Sequence, residues 1–437
     1  RVTERAERYL YFVMEAVEQA GMPAELALLP IVESAYDPFA YSHGRASGMW
    51  QFIPATGRRY DMRQDWWYDG RRDVFASTEG ALRYLSDLHK QFDGDWLLAL
   101  AAYNSGEGRV RRAVQSNRER GLPTDFWSLK LPKETRAYVP KLLALARLVQ
   151  SPQRYGVALH PVPNSAYFAG VDIGGQLDLA QAARLAGLPI DEIYRLNPGF
   201  NRWATSPDGP HRLLLPVDAA ADLTAALATL PVAQRVNWQR YRVRRGDSLL
   251  SIARHFGTEV DVIRDANRIH GNLIRAGQAL MIPSAHQGAS HYALSATQRR
   301  EKIQDTPRGA QQQSYTVRSG DSFWRIGRQF GVDHRALAKW NGMAPGDPLK
   351  PGMTLKVWTD KAAEPTPALA SASAPQARSH MRKVGYTVRG GDSLARIAGR
   401  FNVDVGDILR WNRIDPNRYL QPGQKITLYI DVTNSYR

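Results

Sequence analysis

Residues 26–57 read LALLPIVESAYDPFAYSHGRASGMWQFIPATG. This stretch places one carboxylate, Glu33, at the end of an apolar run and follows it with a Ser- and Gly-rich turn and the motif Gly48-Met49-Trp50-Gln51. An acid in apolar surroundings has a raised pKa, because desolvation disfavours its charged form. It is then protonated near neutral pH and can act as a proton donor. The alternative is a solvated or paired Glu at a helix end, and this stretch alone leaves both open.

The composition indicates a globular, multidomain protein. The chain has 437 residues, 43% of them hydrophobic, which is enough for several cores. Cysteine is absent, so disulfides, thiol nucleophiles and Cys metal sites are excluded. No apolar run approaches the roughly 18 residues of a membrane span. No metal-ligand spacing is present, so we expect neither a metal nor a cofactor.

Residues 1–150 carry helical periodicity and lack strand patterns. Apolar positions predict amphipathic helices over residues 10–20 and from Ser77 to Leu88. Residues 96–103 read WLLALAAY and predict a buried helix, and residues 138–149 predict a last one. We therefore expect an all-α domain over residues 1–150.

From Tyr241 onward the chain repeats itself three times. YRVRRGDSLLSIARHFG begins at Tyr241, YTVRSGDSFWRIGRQFG at Tyr315 and YTVRGGDSLARIAGRFN at Tyr386. Each copy has an Asn 26 positions after its Tyr and then a Gly that leads into a short strand. The pattern predicts a strand, two helices and a strand in each. We call residues 241–283, 315–358 and 386–430 the first, second and third repeats.

Residues 151–240 connect the helical domain to the repeats. Residues 168–216 overlay on a repeat in the order strand, helix, helix, strand, without the Gly-Asp-Ser motif. We interpret them as a degenerate fourth unit, here called the connecting unit, which no longer binds a ligand. Residues 284–314 and 359–385 are rich in Ala, Ser, Gln and Pro and are predicted to be flexible linkers.

The net charge of +16 is unevenly spread. Residues 1–150 are nearly neutral, and the remainder carries the excess of basic residues. A basic rear half predicts an anionic partner. Nucleic acid, anionic lipid and an acidic cell-wall polymer all satisfy the charge, but nucleic acid does not explain the repeats.

The repeats resemble LysM domains, βααβ modules that bind glycans containing N-acetylglucosamine. The resemblance rests on the Tyr-x-Val-x-x-Gly-Asp-Ser opening, the Asn at a fixed offset and the late Gly. It implies a sugar groove between the loop after the first strand and the loop after the second helix, the latter including Pro348 and Leu349 in the second repeat. The alternative is that Gly-Asp-Ser only caps a helix. The implied glycan-binding residues are Gly246, Asp247, Ser248, Asn272, Gly320, Asp321, Ser322, Gly391, Asp392 and Ser393.

The front domain resembles the lytic transglycosylase family with a goose-lysozyme-like fold. Four motifs match in order: Glu33-Ser34, residues 47–51 (SGMWQ), residues 102–106 (AYNSG) and residues 134–139 (ETRAYV). The fold class expected for the chain is therefore multidomain α+β, a lysozyme-like all-α domain followed by small LysM modules on linkers.

This second resemblance implies a single catalytic carboxylate, Glu33. It would protonate the bond between N-acetylmuramic acid and N-acetylglucosamine, then act as a base while the C6 hydroxyl closes a 1,6-anhydro ring. Met49, Trp50, Phe52, Trp66 and Trp67 are expected to line a sugar groove, with core packing as the alternative for the Trp pair. Glu134 and Arg136 are expected to tie helices together rather than contact substrate. The supporting or substrate-binding residues are Ser34, Ser47, Met49, Gln51, Tyr103, Asn104, Glu134 and Tyr138.

Two rival functions remain open from the sequence. The first is a hydrolytic muramidase, in which water replaces the C6 hydroxyl, and the second is a non-catalytic peptidoglycan-binding scaffold. In each case the expected partner is the peptidoglycan glycan strand, and the protein is expected to be a monomer. The family resemblance implies a periplasmic location, with attachment to the outer membrane by a lipid upstream of Arg1.

Overall fold

The structure, a computed structural model, describes residues 2–359, 381–389, 392, 394, 397–398, 403, 405–412, 414, 420–421 and 423–431. Contact clustering divides the chain into two units, residues 1–362 and 363–437. The first holds the helical domain, the connecting unit and the first two repeats. The second holds the third repeat.

The helical domain contains eight helices before residue 151. These are α1 (Val2–Ala6), α2 (Leu10–Gln19), α3 (Leu29–Ser34), α4 (Pro54–Arg59), α5 (Val74–Gln91), α6 (Trp96–Ser105), α7 (Glu107–Glu119) and α8 (Lys133–Gln150). The predicted all-α class is confirmed. Helix α6 packs against α5, α7 and α8, and its residues 98–102 are buried, as its apolar sequence predicts.

Two of these helices begin earlier than the sequence indicates. Helix α5 starts at Val74 rather than Ser77, because the Asp73 side chain accepts a hydrogen bond from the backbone N–H of Ala76. Helix α8 starts at Lys133 and continues through Pro140. Because it starts there, the helix includes both Glu134 and Tyr138.

The connecting unit has the predicted strand–helix–helix–strand order. Strand β1 (Phe168–Asp172) pairs antiparallel with β2 (Arg212–Pro216), with Phe168 opposite Pro216, and α9 (Leu179–Leu185) and α10 (Ile190–Leu196) lie between them. Helix α11 (Val217–Thr229) follows. Trp67 and Tyr68 of the helical domain share a hydrophobic core with Phe200 of this unit. The connecting unit is therefore packed on the helical domain.

The first two repeats are built the same way. The first comprises β3 (Asn237–Arg242), α12 (Leu249–His255), α13 (Val260–Asn267) and β4 (Ala279–Ser284). The second comprises β5 (Gln311–Thr316), α15 (Phe323–Phe330), α16 (His334–Trp340) and β6 (Thr354–Thr359). Each pair of strands is antiparallel and covers its own small core.

The third repeat is described on its own. Strand β7 (Met381–Thr387) pairs antiparallel with β8 (Lys425–Asp431), and the helix Val405–Asn412 packs on β8. Its buried core includes Ile397, Ile408 and Leu428.

The prediction of a flexible linker over residues 284–314 is wrong. This segment contains a 3₁₀ turn (Ala289–Tyr292) and helix α14 (Ala296–Gln304). Tyr292 is buried, and its hydroxyl donates hydrogen bonds of 3.1 and 2.9 Å to the carboxylate of Asp178 in the connecting unit. The polar composition of this segment gave no indication that Tyr292 is buried. Most of the other predicted linker, residues 359–385, lies outside the described residues.

Candidate active site around Glu33

Glu33 lies in the last turn of α3, where several local features fix its backbone. Pro30 occupies the first turn, a position that tolerates proline because the N–H there has no helical partner. The helix ends at Ala35, which is left-handed with φ 54°. Ser34 donates hydrogen bonds to the carbonyls of Pro30 and Met49, at 3.1 and 3.0 Å. Ser34 therefore joins α3 to the 47–51 turn.

The Glu33 carboxylate is partly buried and accepts a hydrogen bond from the hydroxyl of Tyr138 in α8. Burial raises the pKa of Glu33 from 4.5 to about 7. The Tyr138 hydrogen bond lowers this pKa, and the negative charge of Glu134 raises it. The raised pKa expected from the apolar run is therefore present, and Glu33 is half protonated near neutral pH.

Tyr103 lies beside Glu33 but bonds elsewhere. Its hydroxyl donates to the backbone carbonyl of Trp50 at 2.8 Å. Burial raises the pKa of Tyr103 well above its usual value, and the charge of Glu33 raises it further. The hydrogen bond to Glu33 that Tyr103 could have made is instead made by Tyr138. Asn104, the next residue, is partly buried.

The turn at residues 47–51 presents its backbone, not its apolar side chains, to the site. Gly48 has φ 83°, and a Cβ there would lie 2.0 Å from the carbonyl oxygen of Arg71, so only glycine fits. Gln51 is also left-handed, with φ 52°, and its amide Nε2 donates to the Gly48 carbonyl at 2.8 Å. Gln51 thus closes the turn, a role not expected from the sequence.

The prediction that Met49, Trp50 and Phe52 line an open groove is wrong. All three are buried in the main core, and the Trp50 indole donates to Thr78 at 3.0 Å. The turn points these side chains inward because the Gly48 backbone lies against Arg71 and Arg72. Trp67 is also core, whereas Trp66 is partly exposed beneath the Arg202 guanidinium, 4.3 Å from its ring centre.

Ser47 is fully buried, and within the described residues its hydroxyl has no hydrogen-bond partner. A buried hydroxyl without a partner is energetically costly unless a ligand or water satisfies it. The Ser47 hydroxyl is therefore a buried polar group that a ligand or a water molecule would satisfy.

Glu134 and Arg136 are both exposed. Neither forms a hydrogen bond or an ion pair with any residue that the structure describes, so the expected helix-tying role is wrong. Glu134 acts on the site through its charge, which raises the pKa of Glu33.

A buried ion network beneath the turn was missed by sequence reasoning. Asp69 pairs with Arg71 at 2.8 Å and with Arg72 at 3.2 Å. Arg71 also donates to the carbonyls of Arg45 and Phe52, at 2.7 and 3.2 Å, which fixes the two arms of the turn. The stretch DGRRD at residues 69–73 looks like a solvated loop, and nothing in it signals burial.

Comparison with known proteins now places the chain. Membrane-bound lytic murein transglycosylase D of Escherichia coli is 36% identical to this chain over 433 residues, which are 99% of this chain and 78% of that protein. The chain belongs to this transglycosylase family. Family models agree: the Transglycosylase SLT domain matches residues 11–124, the LysM-like domain of lytic transglycosylase MltD 167–232, and the LysM domain 241–283, 315–358 and 386–428.

Two further relatives are more partial. A putative tributyltin chloride resistance protein from an Alteromonas species is 42% identical over 149 residues, 34% of this chain and 72% of that protein. A solved structure of an inactive mutant of the lytic transglycosylase Slt from Pseudomonas aeruginosa is 26% identical, with a TM-score of 0.27. It covers 34% of this chain and 24% of that one, which is too little to carry an argument.

The Asp and Ser side chains of the Gly-Asp-Ser motifs form hydrogen bonds within the LysM fold. Asp247 accepts from the hydroxyl of Tyr241 and the N–H of Arg244, both at 2.7 Å. Ser248 caps α12, and Gly246 has φ 92°. Asn272, in the second groove loop, is exposed. In the first repeat, Asp247 and Ser248 are therefore engaged within the fold, as the capping alternative expects.

The other two LysM repeats follow the same pattern. Asp321 bonds Tyr315 at 2.8 Å, and Asp392 bonds Tyr386 at 2.6 Å. Ser322 caps α15, and Gly320 has φ 83°. Gly391 and Ser393 lie outside the described residues.

No helix among the described residues has the length and apolar character needed to cross a membrane. The same residues contain no group of three or more His, Asp or Glu side chains arranged to hold a metal.

Proposed function

We propose that the chain cleaves the β-1,4 bond between N-acetylmuramic acid and N-acetylglucosamine in peptidoglycan and leaves 1,6-anhydromuramic acid ends. The observation that carries this proposal is Glu33, a partly buried carboxyl group with a pKa raised to about 7 and held by Tyr138. A group with this pKa is available in both protonation states near neutral pH, as a residue that acts first as an acid and then as a base requires.

Glu33 takes part in two successive proton transfers. Protonated Glu33 gives its proton to the glycosidic oxygen as the bond to C1 of muramic acid breaks. The resulting carboxylate then takes the proton from the C6 hydroxyl as that oxygen bonds to C1. Glu33 returns to its starting state, and no water is consumed. Because the nucleophile is part of the substrate, it is already close to the reacting carbon.

A single carboxyl group is sufficient for this chemistry. Glycosidases that use water or a covalent intermediate need a second carboxylate about 5–9.5 Å from the first. Glu134 contributes a nearby charge, but it is exposed and has no hydrogen-bond donor to hold it in a reactive position among the described residues. We assign it the role of tuning the pKa of Glu33.

The other motif residues support the site. Tyr138 orients the Glu33 carboxylate, and the unpartnered hydroxyl of Ser47 is available to the substrate N-acetyl group or to Glu33. Tyr103 fixes the Trp50 backbone. We expect Asn104, which is partly buried, to bond a sugar hydroxyl. Ser34, Met49 and Gln51 hold the turn in shape.

The LysM repeats bind the glycan strand through their loop backbones, since the Asp and Ser side chains are engaged within the fold. We further propose a periplasmic location, with attachment to the outer membrane through a lipid upstream of Arg1, and a monomeric state. The membrane-bound relative supports the location.

The test is digestion of purified sacculi by the chain and by Glu33→Gln. We expect the chain to release products about 18 Da lighter than hydrolysis products, the mass of one water. Glu33→Gln should release none and still bind sacculi, while Glu79→Gln, an exposed Glu on α5, should be unaffected. Products of full hydrolytic mass would identify a muramidase. Turnover by Glu33→Gln would remove Glu33 from the mechanism, and binding without turnover by the unmutated chain would identify a scaffold.

A further inference from the structure

A cavity of about 1000 Å³ lies within the first unit, away from Glu33. Its walls come from five parts of the chain: the helical domain, the connecting unit, the first repeat (α13 and both of its strands), helix α14 and the second repeat. Glu33, Tyr103 and Tyr138 are not among its lining residues. The volume suits a ligand the size of a small oligosaccharide or a short peptide.

The second repeat is held at this cavity by Asp347, in the loop after α16. The Tyr41 hydroxyl lies 2.9 Å from both oxygens of the Asp347 carboxylate, and Arg45 lies 2.7 Å from it. Lys350 of the same loop pairs with Glu259 of the first repeat at 2.5 Å. In the first repeat the corresponding loop is free, with Leu273 78% exposed. The second repeat is thus docked, whereas the first repeat leaves its loop open.

Arg300 of α14 lines the cavity and has no hydrogen bond, ion pair or ring contact with any residue that the structure describes. The other arginines on the wall are engaged. Arg72 bonds Asp69 and Pro198, Arg202 bonds Trp66 and Thr297, and Arg299 bonds Leu294 and lies over Phe39. Desolvation by the surrounding protein lowers the pKa of Arg300, the charge of nearby Asp347 raises it, and the side chain is exposed. The Asp347 carboxylate is itself bonded to Arg45 and Tyr41.

Most acids on the wall are already neutralised. Asp208 and Asp265 are the exposed exceptions. Asp65 pairs with Arg63, Asp69 with Arg71, Asp261 with Arg264, Glu259 with Lys350 and Asp347 with Arg45. The Arg300 guanidinium is therefore a cation available to an incoming carboxylate, which guanidinium groups bind with two parallel hydrogen bonds.

We propose that this cavity binds the carboxylate-bearing peptide of a peptidoglycan strand, with Arg300 as the carboxylate receptor. The inference rests on the proposed function for the identity of the substrate. Aromatic rings of Tyr41, Trp66 and Trp238 complete the wall and can pack on the apolar parts of such a peptide.

The cavity lies where a glycan strand could contact both the second repeat and the catalytic domain. Pro348, in the loop predicted to close the sugar groove of the second repeat, also lines the cavity. Tyr41, which also lines the cavity and bonds Asp347 beside Pro348, forms a β-bridge with Ser47 of the catalytic turn. A strand with its sugars on the second repeat would therefore direct a peptide side branch into the cavity, and the docked repeat would position the strand beside the catalytic domain.

The test is calorimetric binding to the full chain carrying Glu33→Gln, so that no turnover occurs. The probes are a muramyl disaccharide bearing its tetrapeptide, the same compound with its peptide carboxylates amidated, and the disaccharide alone. We expect the free-acid peptide to improve affinity about tenfold over the amidated form, as expected for one charge-assisted contact. Adding Arg300→Gln should remove that improvement, and Arg300→Lys should keep part of it.

The matched control is Arg308→Gln, which removes an exposed arginine that lies in the same segment, residues 284–314, but outside the cavity wall. It should keep the full improvement, and the disaccharide alone should bind all variants equally. Equal binding of the acid and amidated probes by the parent would overturn the proposal, even if Arg300→Gln failed to fold. Full improvement retained by folded Arg300→Gln would also overturn it. Product analysis with intact Glu33 tests the catalytic proposal separately.

Discussion

The hydroxyl of Tyr138 donates a hydrogen bond to the carboxylate of Glu33, a residue 105 positions earlier in the chain. The bond joins α3 to α8 and stabilises the charged form of an acid that burial drives toward its neutral form. The balance of the two effects, together with the nearby charge of Glu134, sets the pKa at about 7. The hydrogen bond and the Glu134 charge can each be removed by one substitution.

Tyr138→Phe removes the hydrogen bond that favours the carboxylate, so the pKa of Glu33 should rise above about 7. The acid step needs protonated Glu33, and activity should therefore persist to higher pH than in the parent. The rate at the optimum should fall about tenfold, because the carboxylate loses its orienting partner. The measurement is kcat/KM against pH on soluble glycan strands.

The control for this substitution is Tyr194→Phe, which removes a buried tyrosine hydroxyl that bonds Arg202 in the connecting unit. The alkaline limb of its kcat/KM–pH profile should coincide with that of the parent. If Tyr138→Phe also leaves the alkaline limb in place, then Tyr138 does not set the pKa of Glu33.

Glu134→Gln should act in the opposite direction. Removing the neighbouring negative charge lowers the pKa of Glu33, so the loss of activity on raising pH should begin earlier. The maximal rate at lower pH should stay within about twofold, since Glu134 is not in the reaction itself. High salt should reduce the difference, because the charge acts through solvent. Glu79→Gln serves as the comparison, and an equal shift in that variant would rule out a local effect.

Glu33→Gln should stabilise the helical domain at alkaline pH. Below its unfolded pKa near 4.5, Glu33 is protonated in both states and costs nothing. As pH rises through about 7, the folded protein must hold a desolvated carboxylate that the unfolded chain carries freely. The rise from 4.5 to about 7 corresponds to up to about 3 kcal/mol. In urea unfolding, Glu33→Gln should have a larger free energy of unfolding than the parent at pH 8 but not at pH 4. A gain of the same size at both pH values would contradict the prediction.

The sequence was sufficient for the fold class but not for how segments pack. Periodicity predicts the all-α domain and the βααβ repeats, because local caps and turns encode them. It did not predict that residues 284–314 are packed, since the contacts that hold this segment, such as that between Tyr292 and Asp178, join residues more than about 30 positions apart. Long-range contacts of this kind leave no local pattern.

The same limit applies to the site. The apolar run before Glu33 predicts its raised pKa, because burial comes from neighbouring residues. It does not reveal that Tyr138, rather than Tyr103, bonds the carboxylate. The inward direction of Met49 also depends on Gly48 lying against Arg71, which is a tertiary contact.

The Asn at a fixed offset in each repeat has a structural role that spacing alone did not disclose. Asn341 is fully buried, donates to the carbonyls of Leu337 and Lys356 at 2.8 Å, and accepts from the Lys356 N–H at 2.7 Å. It thereby joins the end of α16 to β6. Asn267 and Asn412 make the same three bonds, and so does Asn197 of the connecting unit, which lacks the Gly-Asp-Ser motif.

Asn341→Ala should therefore destabilise the second repeat by about 2–4 kcal/mol, because it leaves buried backbone groups without partners. Asn267→Ala should cost less in the first repeat, since Asn267 is less buried and Asn341 also accepts from Gln304 at 2.8 Å. Amide hydrogen exchange of the β5–β6 and β3–β4 pairs in the full chain measures each opening free energy. Asn272→Ala, at an exposed position in the first repeat, should change it by less than about 0.5 kcal/mol. Equal protection of β5–β6 in Asn341→Ala and the parent would show that this Asn does not hold the strand.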